Sequence, residues 1–567
     1  MLADDRHPPS MSTPGTPGTP GPETMAALVA ARAGDGRIGL VAGDDSWTWA
    51  EVVTAGAARA ALFAARHEGG TPHIAVLLDN VPEYVMWLAG AARSGAVIVG
   101  VNPTHRGPDL ARDISHTQCR LLVTDTGHLP LVDGLDLGEG IGIVEPGNPR
   151  VLVVDDPSYQ EAVSGSPEVA GGAVQDSSLG YLIFTSGTSG APKACRCTQG
   201  RLARISVIVA QMFALTPDDV CYVSMPLFHS NALMTGWGPA LAGGATVALP
   251  SSGRFSASGF LGDVRRHRAT YFHYVGKPLS YILATDERPD DVDNPLRRVF
   301  GNEGAEADVS RFGARFGCVV VDSYGSTEGG AAVTRTPDTP PGALGRGPEG
   351  TIVVDPETAE LCPPAVFDEG GRLCNADEAI GELVSTGGGA GFEGYWHNDA
   401  AEQARLRNGW YWTGDLAYRD EAGFFYFAGR ADDWLRVDGE NFAAAPVARI
   451  LERHPAVRLA AVYAVPDSAV GDQVMAALEL RQGMAFDPDD FVGFLADQPD
   501  LGTKWAPRFI RICDRLPTTA TAKILTRALR AERWHGSDPL WWTPTGPAGS
   551  TYQPLTEMDM AVLDAGH

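Results

Sequence analysis

A chain of 567 residues is too long for one ordinary domain and long enough to bury sizeable cores. With 44% hydrophobic and 20% charged residues it has the composition of a water-soluble globular protein. A formal net charge of −26 argues against non-specific nucleic-acid binding and against docking on anionic lipid, so anionic ligands would need local positive groups to hold them.

Residues 1–24 are rich in Pro, Gly, Ser and Thr, with the near-repeat T-P-G-T-P-G-T-P-G-P, and are expected to form a disordered tail. The N-terminus has no apolar core of signal-peptide type. No run reaches ~18 uninterrupted apolar residues. Leu88 to Val101 comes nearest and is broken by Arg93 and Ser94, so no integral membrane segment is expected. The eight cysteines (119, 195, 197, 221, 318, 362, 374 and 513) include no C-x-x-C pair. They read as buried free thiols, which fits a reducing, cytoplasmic setting.

Trp47 to Glu51 leads into an alanine-rich helix over 52–67. A strand over 73–78 follows, and Asn80-Val81-Pro82-Glu83 caps a helix that runs to about Ser94. Strand 96–101 ends at Asn102-Pro103; helix 108–117 and strand 120–124 come next. Residues 141–154 read as surface-like. Alternation of strand and helix predicts a parallel sheet wrapped by helices.

Tyr181 to Lys193 reads Y-L-I-F-T-S-G-T-S-G-A-P-K. The apolar run Tyr181 to Phe184 predicts a short buried strand. After it, Gly187 and Gly190 allow backbone angles that bring N–H groups onto an anion. Thr185, Ser186, Thr188 and Ser189 add hydroxyl donors, and Lys193 adds a positive charge. The loop therefore suits phosphate, although its spacing is not the common G-x-x-x-x-G-K-[ST]. A flexible Ser/Gly linker would need neither the strand before it nor the Pro-Lys after it.

Helix 199–213, strand 220–225 and the loop Pro226-Leu227-Phe228-His229-Ser230-Asn231 follow. A small apolar run covers 233–242, and strand 245–249, helix 256–268, strand 269–274 and helix 278–285 continue the alternation. Strands 298–301 and 319–324 flank a further helix. The second of them exits into D-S-Y-G-S-T-E-G-G (322–330). An aromatic, a glycine turn, a hydroxyl and an acid in that order could stack a base, approach a phosphate and hold Mg²⁺. From about 345 short strands at 351–354, 381–385, 410–412 and 424–427 alternate with Gly- and Asp-rich turns, which reads as a small antiparallel barrel or sheet. Within it, Trp412-Thr413-Gly414-Asp415 places a carboxylate at a turn, where it can accept two ribose hydroxyls or merely cap the turn. After Gly429-Arg430 a compact α+β unit is expected: strands 434–437, 457–465 and 474–480, with helices 445–453 and 488–496.

Taken together, Tyr181–Lys193, Y-G-S-T-E-G (324–329) and W-T-G-D (412–415) resemble the signatures of the adenylate-forming enzymes: acyl-CoA synthetases, luciferases and peptide-synthetase adenylation domains. The resemblance covers roughly residues 25 to 565. It implies that Tyr324 stacks on adenine next to Gly325, that Thr327 contacts the α-phosphate and that Glu328 binds Mg²⁺. Gly301-Asn302-Glu303 resembles the family's adenine-edge loop. Gly429-Arg430-Ala431-Asp432-Asp433 resembles its interdomain hinge, with Arg430 on ribose or phosphate and Asp432 at the hinge position. Arg436 to Asn441, which includes Gly439 and Glu440, matches the segment lining the thiol channel. P-T-T-A-T-A-K (517–523) resembles the C-terminal signature, so Lys523 would be the mobile catalytic lysine, acting with Thr185 and Glu328; Ala522 stands where glycine is usual. An ammonium bridging carboxylate and α-phosphate offsets charge that grows in the transition state. R-A-D-D-W-L-R-V-D-G-E-N-F (430–442), Y-F-H-Y-V-G-K-P (271–278) and T-Y-Q-P-L-T (551–556) are similar to the fatty-acid-transport-protein or very-long-chain acyl-CoA synthetase branch.

The implied fold is α/β. A large N-terminal domain (25–430) has parallel helix-wrapped sheets plus a small β-barrel. A small mobile α+β domain (431–538) and an extension (539–567) follow. The implied function is an ATP-dependent acyl-CoA synthetase using ATP, Mg²⁺ and CoA, releasing AMP and pyrophosphate. An apolar acyl pocket is expected around His229, Ala232, Gly236, Tyr274 and Gly276, where small residues leave room for a long fatty acid or a branched or steroid side-chain acid. An acyl-AMP ligase that loads a carrier protein, and a catalytically silent lipid-binding protein, are the rival readings. The implied partners are the free acid and CoA, with no nucleic acid; a homodimer is compatible with the sequence.

Overall fold

The computed structural model describes residues 23–166, 173–185, 193–304, 306–336, 338–368, 373–389, 391–430, 434–437, 440–467, 471–498, 501–502, 504–519, 524–544 and 551–565. Contacts divide the chain into two compact units: Met1–Thr336 with Ala390–Ala404, and Pro337–Gly389 with Arg405–His567.

The first unit carries two sheets. One has six strands in the order Val151–Val153, Leu121–Thr124, His73–Leu77, Val97–Gly100, Leu179–Thr185, Lys193–Thr198. All neighbours are parallel except the last pair, which is an antiparallel hairpin. Its inner strands are nearly continuous apolar runs (H-I-A-V-L, V-I-V-G, L-L-V-T) because both faces are covered. The other sheet has eight strands: Ala332–Val333, Val319–Gly325, Arg298–Asn302, Tyr271–Val275, Val220–Tyr222, Thr246–Leu249, Ile38–Ala42 and Asp45–Thr48. It is parallel in the middle and antiparallel at both edges.

Helix Trp49–Arg66 starts a turn ahead of the expected residue 52, because Thr48 and Glu51 form a reciprocal capping box. It crosses helix Pro82–Ser94 closely. A Cβ on Gly90 would lie 2.6 Å from the Gly56 carbonyl oxygen, so this approach requires glycine. The buried pair Arg59–Glu83, at 2.7 Å, ties the same two helices.

Four stretches differ from the sequence expectation or lay outside it. Ile141 and Val144 are 4% and 2% exposed and belong to the core, and Val151–Val153 is an edge strand, so 141–154 is not a surface segment. Glycines and charges interrupt its apolar residues and hide any period. The hairpin Ile38–Ala42/Asp45–Thr48 and the strand Lys193–Thr198 carried no expectation; the latter has one exposed arginine among buried alanine and cysteines. The small apolar run becomes a π-helix, Ala232–Trp237, continued by an α-helix, Gly238–Gly243.

In the second unit, Thr351–Val354, Gly381–Ser385, Trp410–Arg419, Leu406–Arg407 and Phe425–Arg430 form a five-stranded antiparallel sheet. A seven-stranded sheet follows. It runs Glu440–Ala443, Trp434–Val437, Gly471–Leu480, Phe509–Cys513, Leu540–Trp542, Gln553–Pro554, with Val457–Asp467 also paired to Gly471–Leu480. Residues beyond 539 thus extend this sheet, and Tyr552 is buried with its hydroxyl on the Pro507 carbonyl. Among the described residues no helix is long and apolar enough to cross a membrane.

Candidate active site

The carboxyl ends of the parallel strands Tyr271–Val275, Arg298–Asn302 and Val319–Gly325 lie side by side, and ligands of open α/β sheets bind at such ends. Register places Tyr274 beside Gly301 and Gly301 beside Asp322. The Tyr274 ring fills the space that a side chain at Gly301 would need; a Cβ there would come within 2.3 Å of it. The Tyr274 hydroxyl donates to Asp322 Oδ2 at 2.5 Å, and the Gly304 N–H donates to the same oxygen at 2.9 Å. Burial pushes Asp322 up to about 7 despite both donors. Asn302 donates through Nδ2 to the Ser323 carbonyl at 2.6 Å, and Glu303 has a left-handed φ of 66°. Gly301 and Asn302 therefore end their strand beside Asp322 and Ser323, and Glu303 leads out of it. Tyr324 and Gly325 end the neighbouring strand, half-buried and exposed respectively.

Loop 326–330 is fixed from several elements. Arg201, on helix Gln199–Met212, donates to the Thr327 carbonyl at 2.6 Å. The Cys195 thiol, on strand Lys193–Thr198, points at the same oxygen at 3.6 Å. Thr327 and Ser230 share a hydroxyl hydrogen bond of 2.7 Å. Glu328 is 7% exposed, and the Tyr395 hydroxyl donates to its Oε1 at 2.9 Å. Gly329 has φ 71°, and a Cβ there would run 2.3 Å from Arg201 Nη2. Thr185 and Lys193 sit opposite each other where the 179–198 hairpin, the candidate phosphate hairpin, leaves the sheet. Since Cys195 lies on its descending arm, the hairpin and loop 326–330 are neighbours.

Ala232 and Gly236 lie buried on the π-helix, a form often found at functional sites. A Cβ on Gly236 would be 2.4 Å from His273 Nε2. Asn231 donates through Nδ2 to the Tyr274 carbonyl at 2.9 Å, which leaves its Oδ1 to accept from His273 Nδ1 at 2.6 Å. Burial pushes His273 down to about 3, so its imidazole is neutral. His229 Nδ1 accepts from the Asn231 N–H at 3.2 Å. Gly276 takes a left-handed φ of 76° and donates its N–H to the Asn302 carbonyl at 2.9 Å, which joins it to the end of strand Arg298–Asn302.

In the second unit, Asp415 on Trp410–Arg419 pairs in register with Arg430 at the end of Phe425–Arg430. Asp415 thus lies within a strand and not at the expected turn; just before it the register shifts, where Thr413 Oγ1 donates to the Leu383 carbonyl at 2.7 Å and Glu382 accepts from the Gly414 N–H at 2.7 Å. Glu440 opens the strand Glu440–Ala443. Ser186, Gly187, Thr188, Ser189, Gly190, Asp432, Gly439 and Lys523 lie outside the described residues. Sequence reasoning did not point to Arg201, Ser230 or Tyr395 as parts of the site, and gave Asp322, at the head of the 322–330 motif, no role; each acts on a partner distant in the chain.

The donor set fits a hard cation. Glu328 keeps a second carboxylate oxygen beyond the one bonded to Tyr395, and the Thr327 hydroxyl is adjacent. Among the described residues no group of three or more His, Cys, Asp or Glu is placed to hold a metal. One carboxylate with substrate phosphates and waters is the usual environment of Mg²⁺. The described residues bring the two arms of the 179–198 hairpin, the ends of the parallel strands and one buried acid, Glu328, into one region.

Comparison with known proteins agrees. Residues 27–396 match the AMP-binding enzyme family and 447–523 match the AMP-binding enzyme C-terminal domain, and the chain belongs to this adenylate-forming family. It is 49% identical over 547 residues to the steroid-22-oyl-CoA synthetase of Rhodococcus jostii, covering 95% of this chain and 96% of that one. To the medium/long-chain-fatty-acid–CoA ligase FadD17 of Mycobacterium marinum it is 48% identical, covering 91% and 98%. The fold superposes on the o-succinylbenzoate CoA synthetase of Bacillus subtilis, in complex with its acyl-adenylate intermediate, with a TM-score of 0.73 at 25% identity, over 89% of this chain and 97% of that one. ATP-bound MatB of Rhodopseudomonas palustris gives 0.76 at 22% identity over 89% and 98%. The protein is an acid–thiol ligase that uses ATP, Mg²⁺ and CoA.

Proposed function

We propose that this ligase activates a long-chain or bulky carboxylic acid, steroid side-chain acids included, as its acyl-adenylate and then transfers the acyl group to CoA. The observation that carries the reading is the convergence on Thr327 of the phosphate hairpin through Cys195, the next helix through Arg201, and the 226–231 loop through Ser230. It supports roles for Thr185, Thr327 and Glu328 around the α-phosphate. Bound Mg²⁺ would be held by Glu328 and would neutralise phosphate charge. The substrate carboxylate attacks the α-phosphorus and pyrophosphate leaves, with Lys523 and the hairpin offsetting the developing negative charge. Asp415 and Arg430 share one rung of a sheet, which supports a joint role on ribose. Two half-reactions in one site need a conformational step, and we place its hinge at Asp432, between domains 25–430 and 431–538. The names of the two bacterial relatives support the choice of acid, and we place its acyl pocket beside the π-helix Ala232–Trp237, on a side other than the one where His273 packs against Gly236. Free cysteines support a cytoplasmic location.

The test is pyrophosphate release from ATP with medium-chain, long-chain and steroid side-chain acids, with and without CoA, for the wild type and Lys523→Ala. Acid-dependent release, thioester only with CoA, and loss of activation by at least ~100-fold in the variant are expected. Acyl-AMP that accumulates despite CoA would replace CoA by a carrier protein as acceptor. Release with none of the acids would overturn the reading.

A further inference from the structure

Strand Lys193–Thr198 has a second neighbour besides its hairpin partner. The Arg196 N–H donates to the Gly394 carbonyl at 3.0 Å, and the Trp396 N–H donates to the Ala194 carbonyl at 2.8 Å. Cys195 and Tyr395 form an antiparallel bridge between them. Segment 394–396 therefore lies along the descending arm of the phosphate hairpin. Tyr395 is 3% exposed, packed with Cys195, Ala401 and Phe392, and its ring meets Phe392 edge-on at 5.1 Å. Its hydroxyl ends on Glu328 Oε1 at 2.9 Å.

We propose that Tyr395 is a positioning residue for the metal-binding carboxylate of Glu328, setting the orientation of that carboxylate against the phosphate hairpin. The inference rests on the reading of Glu328 as the Mg²⁺ ligand. A carboxylate that takes a hydrogen bond on one oxygen is turned so that the other is presented to a cation. The neighbouring contacts share the task. Arg201 and Cys195 hold the Thr327 backbone and Ser230 holds its hydroxyl, while the phenol acts on the Glu328 carboxylate. Because the backbone of Tyr395 is bridged to Cys195, any shift of the hairpin arm is passed to Glu328. The cation site and the phosphate site would then stay in register with one another. No group is transferred in this step: the phenol keeps its proton and donates it to the carboxylate as a hydrogen bond.

Tyr395→Phe removes the hydroxyl and keeps the ring. Binding of Mn²⁺ as a stand-in for Mg²⁺, in the presence of a non-hydrolysable ATP analogue, is followed by electron paramagnetic resonance on the full chain. The Mn²⁺ dissociation constant is expected to rise about ten-fold, since residues that orient metal ligands typically contribute 10- to 100-fold. Turnover should fall at low Mg²⁺ and recover at high Mg²⁺, with an unchanged KM for the acid. Phe392→Leu, which loosens the same cluster but leaves the hydroxyl, should bind Mn²⁺ as the wild type does. Glu328→Gln separates the two levels of the argument. If it binds Mn²⁺ normally, the metal role of Glu328 falls, and this inference with it. If it loses Mn²⁺ while Tyr395→Phe binds as the wild type does, the positioning role alone is overturned. An equal loss in Phe392→Leu and Tyr395→Phe would assign the effect to packing and overturn it too.

Discussion

Asp322 is the residue whose surroundings most constrain it. Its carboxyl is buried under Gly304 and the Tyr274 hydroxyl, and burial pushes it from 3.8 up to about 7. Between those two values the folded protein binds a proton that the unfolded chain has already lost. Stability from this group is therefore full below pH ~4 and falls as pH rises toward ~7. Asp322→Asn can still accept from both donors and cannot ionise. It is expected to flatten the slope in that interval and to be the more stable form above pH ~7, by an amount on the order of a few kcal/mol. Denaturant midpoints taken across the interval check this; parallel slopes for the two proteins would count against a raised carboxyl. The same network shows why Gly301 matters, since any side chain there would occupy the place of the Tyr274 ring.

At the scale of elements, the C-terminal segment makes a definite claim. Strand Leu540–Trp542 pairs with Phe509–Cys513, and the Trp542 ring lies nearly parallel to Phe509 at 6.1 Å. Phe509 and Ile510 are 1% and 0% exposed, and Tyr552 packs into the same core. Deleting residues 539–567 would bare this strand and its apolar side chains, each contributing about 1.5–3 kcal/mol when buried. It would also leave a long open sheet edge, which invites aggregation. The truncated chain is expected to lose most of its soluble yield, as judged by size-exclusion chromatography; a monodisperse product of unchanged thermal midpoint would show the segment to be dispensable. From sequence this stretch read as an extension, because its strands are two and three residues long and too short to show a period. The hairpin arm Lys193–Thr198 escaped for a related reason: its two cysteines and one alanine carry little strand signal. The longer elements were legible. Helices Trp49–Arg66 and Pro82–Ser94 and the strand between them follow the expected order, since apolar runs are written locally. The expected cap at Asn80 is not made, because its side chain donates to the Val223 and Met225 carbonyls and Val81 caps the helix without a side-chain bond.

For the whole molecule, the two compact units each carry their own apolar core. Calorimetry is expected to resolve two transitions, and Asp322→Asn should move one of them only. A single transition with equal calorimetric and van't Hoff enthalpies would contradict this. The candidate site residues are divided in the same way, with Thr185, Lys193, Gly301 and Glu328 in the first unit and Asp415 and Arg430 in the second.

What the sequence by itself determined is the chemistry that short stretches can hold. Tyr181–Lys193, Asp322–Gly330 and Trp412–Asp415 each bring their glycines, hydroxyls and acids together within a dozen or so residues, and the apolar runs between them set an α/β order. Only the tertiary structure decided what holds those stretches still. Tyr395 is 67 residues from Glu328, Arg201 is 126 from Thr327, and Tyr274 is 48 from Asp322. Local pattern reports the period of one element and its caps. A hydrogen bond between distant residues exists only once the packing of several elements has brought a donor and an acceptor within reach of each other.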